Sequence, residues 1–235
     1  MCFSTEIEPN LEVLTKFFDA QVDANSYSRF AAYQQKHPQI FKSPAEDNRL
    51  FPNIFAPVVI KRNGKKVIVP MRYRVRPAES PSEVPAKFNL YNARRDSLEN
   101  RATWKSLIRR QHGLFPFVRF YEWVEKSNGK KAMVAFNPSD RELMWAPCLY
   151  DTWEHPKGKY QFHSFALITT DPPLEVENAG HDRCPIFLKE NAIESWLDAG
   201  DDSLEALDKT EEVYYFHQFV ERKKKKVEQG QLKLF

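Results

Sequence analysis

The chain has 235 residues, with 35 lysines and arginines against 32 aspartates and glutamates, for a net charge of +3. That length suits one large domain or two small ones with a substantial core, and so mild a charge does not by itself announce nucleic-acid binding. No run approaches the roughly 18 consecutive apolar residues of a membrane helix, and the amino terminus lacks the basic-then-apolar order of a secretory signal, so no membrane association is expected.

The first residues, MCFSTEIEP, set a cysteine directly behind the initiator methionine. Methionine is readily removed before a small residue, and its loss leaves Cys2 with a thiol and a free α-amine on neighbouring carbons. That pair is a 1,2-aminothiol, which captures aldehydes as five-membered thiazolidine rings. The other cysteines, Cys148 and Cys184, make the number odd. With no CxxC and no zinc-ligand pattern, a reducing, cytoplasmic setting and no metal or other cofactor are expected.

LEVLTKFFDA (residues 11–20) carries apolar residues at helical spacing, and SYSRFAAYQQKH (26–37) reads as a second helix before Pro38. APVVIKRNGKKVIVPM (56–71) places two β-branched runs around Asn63-Gly64, the dipeptide favoured by a type I′ hairpin turn. Residues 97–112 read as a helix capped by Ser97, with Trp104, Leu107 and Ile108 on its buried face. FPFVRFYEWVEK (115–126) and KAMVAFNP (131–138) flank Ser127-Asn128-Gly129 as a second hairpin, and residues 142–153 and 160–170 continue the strand series. Residues 187–200 read as a helix stopping at Gly200. Consecutive strands joined by hairpins and interrupted by a few helices predict a single α+β domain around an antiparallel or mixed sheet, over residues 1–221. Residues 222–235, with RKKKK at 222–226, read as a basic, flexible tail.

Positive charge also gathers at KRNGKK (61–66), at Arg72, Arg74 and Arg76, and at Arg94 and Arg95. Such clusters form a phosphate track only if they converge on one face. Three further stretches set polar residues in unexpected surroundings: Asn92 and Arg94 ahead of a helix, Glu122 between Tyr121 and Trp123 in an apolar strand, and His181 and Arg183 before Pro185. Singly, each has an ordinary explanation as a cap, an outward carboxylate or a surface histidine.

In this order, the cysteine at position 2, the NAR tripeptide, the FYEW strand and the HxRxP loop resemble the SOS-response-associated peptidase (SRAP) family. Pro57-Val58, MRYRVRP (71–77), Ala146-Pro147-Cys148-Leu149 and FALITTD (165–171) support the resemblance, which runs from Cys2 to about Leu188. It implies a barrel-like mixed sheet with peripheral helices, and a protein that crosslinks itself to abasic sites in single-stranded DNA in response to DNA damage. On that resemblance Cys2 is the covalent nucleophile, and Glu122 carries protons from a desolvated setting that raises a carboxyl pKa. His181 acts as acid or base, Asn92 holds the amino terminus or the opened sugar, and Arg94 and Arg183 contact flanking phosphates. Thr169 and Thr170 form a polar wall, while Arg72, Tyr73 and Trp123 are further DNA-contacting candidates. A monomer is expected. Family members usually follow the cysteine with glycine and arginine; Phe3 and Ser4 stand here instead, and MRYRVRP replaces an apolar Trp-Gly segment. Two other functions fit the residues: a cysteine peptidase or amidase of the N-terminal-nucleophile kind, and a noncatalytic single-strand-binding module.

Overall fold

A computed structural model of the chain describes residues 4–125, 129–201, 203–211, 213 and 215–220. Cys2, the turn dipeptide Ser127-Asn128 and the basic tail lie outside these described residues. In chain order the strands are β1 (Ser4–Glu6), β2 (Gln21–Val22), β3 (Arg49–Leu50), β4 (Phe55–Arg62), β5 (Lys65–Tyr73), β6 (Asn92–Arg94) and β7 (His112–Phe117). They continue as β8 (Arg119–Glu125), β9 (Lys131–Pro138), β10 (Met144–Glu154), β11 (Gln161–Thr170), β12 (Cys184–Pro185) and β13 (Tyr215–Phe219). The helices are α1 (Leu11–Phe18), α2 (Ala24–Lys36), α3 (Ala102–Lys105), α4 (Leu174–Asn178), α5 (Ile193–Leu197) and α6 (Ser203–Ala206).

Strands β11, β10, β7, β4 and β5 pair in that order, and β11 then pairs with β5, closing a five-stranded barrel. The closing seam is parallel, His163–Phe165 against Met71–Tyr73, whereas the other four seams are antiparallel, so the barrel is mixed. A second, five-stranded sheet runs β13-β9-β8-β1-β3. Side-chain alternation divides the barrel strands between two cores. Val58, Val69, Met71, Phe115, Phe117, Phe165 and Leu167 join Phe120, Val124, Val134 and Phe136 of the second sheet. Val59, Ile68, Leu114, Ala166 and Ile168 pack with Leu14, Trp104, Ile193 and Trp196 beneath the helices.

Local signals hold where the turn chemistry is local. Asn63 and Gly64 both take positive φ, 51° and 75°, as a type I′ turn requires, and Arg62 pairs with Lys65. Asn10 caps α1 and Asp23 caps α2 through their side-chain oxygens. The long helices expected over 97–112 and 187–200 are much shorter. Only α3 forms in the first, where Ser97 does not cap but donates its hydroxyl to the Arg94 carbonyl, and Arg109 at φ 69° reverses the chain. Trp104, Leu107 and Ile108 are nevertheless buried, which shows how a compact run of turns can satisfy the same apolar periodicity. In the second stretch a 3-10 turn precedes α5, and the left-handed residue is Ala199 at φ 49°.

Among the described residues, several of the basic side chains are held in ion pairs with neighbouring elements. Lys61 and Lys66 pair with Glu194, Lys61 also with Asp198, and Arg62 with Asp23, fastening the hairpin to α5 and α2. Arg95 pairs with Asp208. No helix among the described residues is long and apolar enough to cross a membrane.

Candidate active site

The amino-terminal strand β1 lies antiparallel to β8, with Ser4 opposite Tyr121, Thr5 opposite Phe120 and Glu6 opposite Arg119. Ser4 and Thr5 are buried. Arg49, on the neighbouring β3, donates from Nη2 to Ser4 Oγ at 2.6 Å and lays its guanidinium 4.0 Å from the Tyr121 ring centroid. An arginine is thus held against β1 from another strand, although position 4 itself is serine. Nothing in the sequence around Arg49 singled it out; only the pairing of β1 with β3 brings it there.

Glu122 follows Tyr121 on β8 and is 2 % exposed, contrary to the outward orientation ordinary for a charged strand residue. Its Oε2 lies 3.0 Å from His181 Nε2, and the His181 side chain is only 9 % exposed. The alternation of the strand sends Trp123 to the other face, where it is 37 % exposed. His181 sits in the loop after α4. Gly180 precedes it at φ 94°, a conformation that side-chain-bearing residues rarely adopt, and a Cβ there would lie 3.6 Å from Val124 of β8. This close approach seats the imidazole on the strand.

Nδ1 has two alternative hydrogen-bond partners, both on the Arg183 backbone. The Arg183 backbone N–H points at Nδ1 (3.2 Å), and the Arg183 carbonyl lies 2.9 Å from the same atom. A neutral ring accepts from the N–H and keeps its proton on Nε2, facing the carboxylate. A protonated ring instead donates from Nδ1 to the carbonyl and retains the Nε2–H bond to Glu122. In either form Nε2 faces the Glu122 carboxylate.

The remaining residues assemble at the end of β11. Asn92, 4 % exposed, pairs with Leu167; Arg94 pairs with Thr169, and Thr170 pairs with Cys184 of β12. Thr169 is fully buried and its Oγ1 has no hydrogen-bond partner among the described residues. Arg94 is exposed and chelates Asp96 through Nε and Nη2 at 3.1 and 2.5 Å. Arg183 donates to Asp171 Oδ1 at 3.0 Å. Asp96 raises the Arg94 guanidinium pKa, and Asp171 adds to that effect, while Arg94 and then Arg183 lower the carboxyl of Asp96. The two arginines and their carboxylates thus share one neighbourhood. Burial pushes the Cys184 thiol up, and the charge of Glu122 reinforces it, tying this cluster to the Glu122–His181 pair.

Two sequence candidates fall elsewhere. Tyr73 is fully buried, packed against Phe165 and Tyr91 at ring distances of 5.2 and 5.8 Å, so its ring is part of the core and offers no face to a base. Arg72 is 3 % exposed and bidentate to Glu83 at 2.6 and 3.2 Å, so it is not an open surface cation. Among the described residues, no cluster of histidine, cysteine, aspartate and glutamate could hold a metal ion.

Comparison with known proteins bears on the family and the fold. The chain is 26 % identical over 175 residues to the abasic site processing protein HMCES of Gallus gallus, covering 63 % of this chain and 52 % of that one. It therefore spans about half the length of that relative. It is 22 % identical over 180 residues to the abasic site processing protein YoqW of Bacillus subtilis, covering 77 % of this chain and 75 % of that one. A crystal structure of a Bacteroides thetaiotaomicron protein shares the fold, with a TM-score of 0.71 at 18 % identity, over 94 % of this chain and 93 % of that one. Residues 1–224 match the family described as SOS response associated peptidase (SRAP), and the chain belongs to that family.

Proposed function

We propose that the protein traps abasic sites in single-stranded DNA by condensing Cys2, exposed by removal of Met1, with the ring-opened sugar aldehyde. The observation that carries this reading is the buried Glu122–His181 pair on β8, the strand against which the amino-terminal segment is laid. Two peptide units separate Cys2 from Ser4, a reach of about 7 Å. The relatives named as abasic site processing proteins support the same reading.

The chemistry needs no cofactor. The α-amine, with an ordinary pKa of about 7.7–8.0, is partly neutral at physiological pH and attacks the aldehyde carbon. The aminol loses water to give an imine, and the Cys2 thiol adds across the C=N bond. The net change is aminothiol plus aldehyde going to thiazolidine plus water. His181 donates the proton that lets hydroxide depart as water, and Glu122 stabilises the imidazolium while it is charged. Asn92 and the Thr169 hydroxyl hydrogen-bond the opened sugar. Arg94 and Arg183 exchange Asp96 and Asp171 for backbone phosphates; the side chains of those two carboxylates are 59 % and 90 % exposed, so little is lost when the pairs open. Ring closure shields the site from strand cleavage, because a thiazolidine lacks the iminium that promotes β-elimination. Maturation by self-cleavage belongs to the same proposal, with residues 1–221 acting as one domain and 222–235 as its tail.

The test is the intact mass of the protein after incubation with a single-stranded oligonucleotide bearing one abasic site. A heat-stable adduct on Cys2, lighter by one water than the sum of its parts, is the expected result. A Cys2→Ala variant with a free amino terminus should give only a labile imine that borohydride traps. Absence of any adduct from protein shown to begin at Cys2 refutes the proposal.

A further inference from the structure

Three arginines, Arg72, Arg74 and Arg76, are 3 %, 8 % and 9 % exposed as whole residues, and they lie within five residues of one another. Among the described residues, the ion pairs of Arg72 and Arg76 are both made with Glu83, at 2.6 and 3.1 Å, and Arg74 pairs with no carboxylate. Arg74 donates instead to the carbonyl of Val84, the next residue. The cluster thus carries a local excess of about two positive charges away from bulk water, an expensive arrangement unless an anion balances it. Burial, together with the Arg72 charge beside it, holds the Arg76 guanidinium below its usual range even with Glu83 in place.

The geometry around these charges is that of a receptor. The Arg76 guanidinium lies 3.4 Å from the Trp153 ring centroid and that of Arg72 lies 4.5 Å from the Phe162 centroid, so both planes are fixed by stacking. The Nε–H groups of Arg72 and Arg76 are buried and have no acceptor among the described residues. Glu83 comes from the connection between β5 and β6, and its side chain is 46 % exposed, so one face of the cluster opens to solvent. Its carboxylate oxygens stand where two oxygens of an incoming oxyanion would bind.

We propose that Arg72, Arg74 and Arg76, walled by Trp153 and Phe162, form a phosphate-binding site that Glu83 occupies as a tethered, displaceable anion. Arg72 pairs with Ser164 of β11, and Thr169 lies five residues further along that strand, about 17 Å at 3.3 Å per residue. The site is thus distinct from the Glu122–His181 pair, and a backbone phosphate several nucleotides along a bound strand is the favoured source of the anion. The site does not depend on crosslinking by Cys2.

The experiment measures inorganic phosphate binding to the full chain, read from the rise in thermal unfolding midpoint at ionic strength held constant with chloride. Glu83→Gln removes the tethered competitor while keeping its shape, and should tighten phosphate at least tenfold. Glu83→Asp draws the carboxylate back from the guanidiniums and should act in the same direction, which covers the case in which the first variant does not fold. A second arm uses a single-stranded oligonucleotide without any abasic site. Tighter oligonucleotide binding by the variants, reversed by inorganic phosphate, assigns the site to the DNA backbone; tightening for inorganic phosphate alone assigns it to a free phosphate. If neither variant gains affinity for phosphate over the unaltered chain, the arginines only fasten the β5–β6 connection and the proposal is wrong. Adduct formation at Cys2 is measured separately, so failure of either idea leaves the other standing.

Discussion

Replacing Glu122 separates chemistry from scaffolding. Glutamine at this position preserves an amide oxygen 3.0 Å from His181 Nε2 and so keeps the hydrogen bond, while removing the negative charge that stabilises an imidazolium. Alanine removes both and leaves a largely buried Nε2–H without its acceptor. The cost of such an orphan donor is about 1–3 kcal/mol, whereas the glutamine change should stay within about 1 kcal/mol because a neutral bond replaces a charged one. General acid–base assistance is typically worth about 10²–10⁴-fold in rate. Glu122→Gln should therefore fold with nearly unchanged urea stability, yet form the abasic-site adduct at least about a hundredfold more slowly in a quenched time course. Adduct formation by Glu122→Gln at the unaltered rate would reduce the carboxylate to a packing role. Equal destabilisation by Gln and Ala would show that charge, rather than the hydrogen bond, holds the loop to β8.

Other measurements probe the frame around the site. His112 is 3 % exposed, stacks 3.7 Å from Trp196, accepts the Arg109 N–H at Nε2 and donates from Nδ1 to the Trp196 carbonyl. Burial lowers its pKa from 6.5 to about 4. Because the folded pKa lies below the unfolded one, its contribution is complete above about pH 6.5 and is lost as the pH falls toward 4; at about 1.4 kcal/mol per pH unit this comes to ~3 kcal/mol. Urea unfolding at pH 7 and pH 5 should show about 2 kcal/mol of this loss in the unaltered chain and a smaller one in His112→Gln; equal losses would refute it. Thr169→Val removes a buried hydroxyl that has no partner among the described residues, so it should raise stability by about 1 kcal/mol while slowing adduct formation. A stability loss would mean the hydroxyl is already satisfied in solution. At Gly113 a Cβ would meet Cys148 Sγ and Val58 Cγ1 at 2.9 Å each. Gly113→Ala should lower the urea midpoint by an amount equivalent to about 1–3 kcal/mol, and an unchanged midpoint would show that this seam of the barrel yields easily.

What the sequence determined by itself was local or chemical. The Asn63-Gly64 turn follows from two residues that tolerate positive φ, and the strand series follows from β-branched runs between turns. The residue types for the chemistry, and their order along the chain, were likewise legible, because an aminothiol, a carboxylate among aromatic rings and a histidine before an apolar run are properties of side chains. The tertiary structure decided which groups meet. Glu122 turns inward because β8 is covered by β1 on one edge and receives the His181 loop at Gly180, a pairing of distant segments that no window of sequence contains. The same is true of Arg49 against Ser4. The arginines of MRYRVRP read from the sequence as a basic cluster, and the tertiary structure draws two of them under Glu83 by stacking on Trp153 of β10 and Phe162 of the adjacent β11. Residues 97–112 carried helical periodicity, but burying Trp104, Leu107 and Ile108 in the small space beside the barrel required only one turn of helix and a reversal at Arg109. Periodicity reports which side chains must leave water; the shape of the space that receives them settles the backbone that does it.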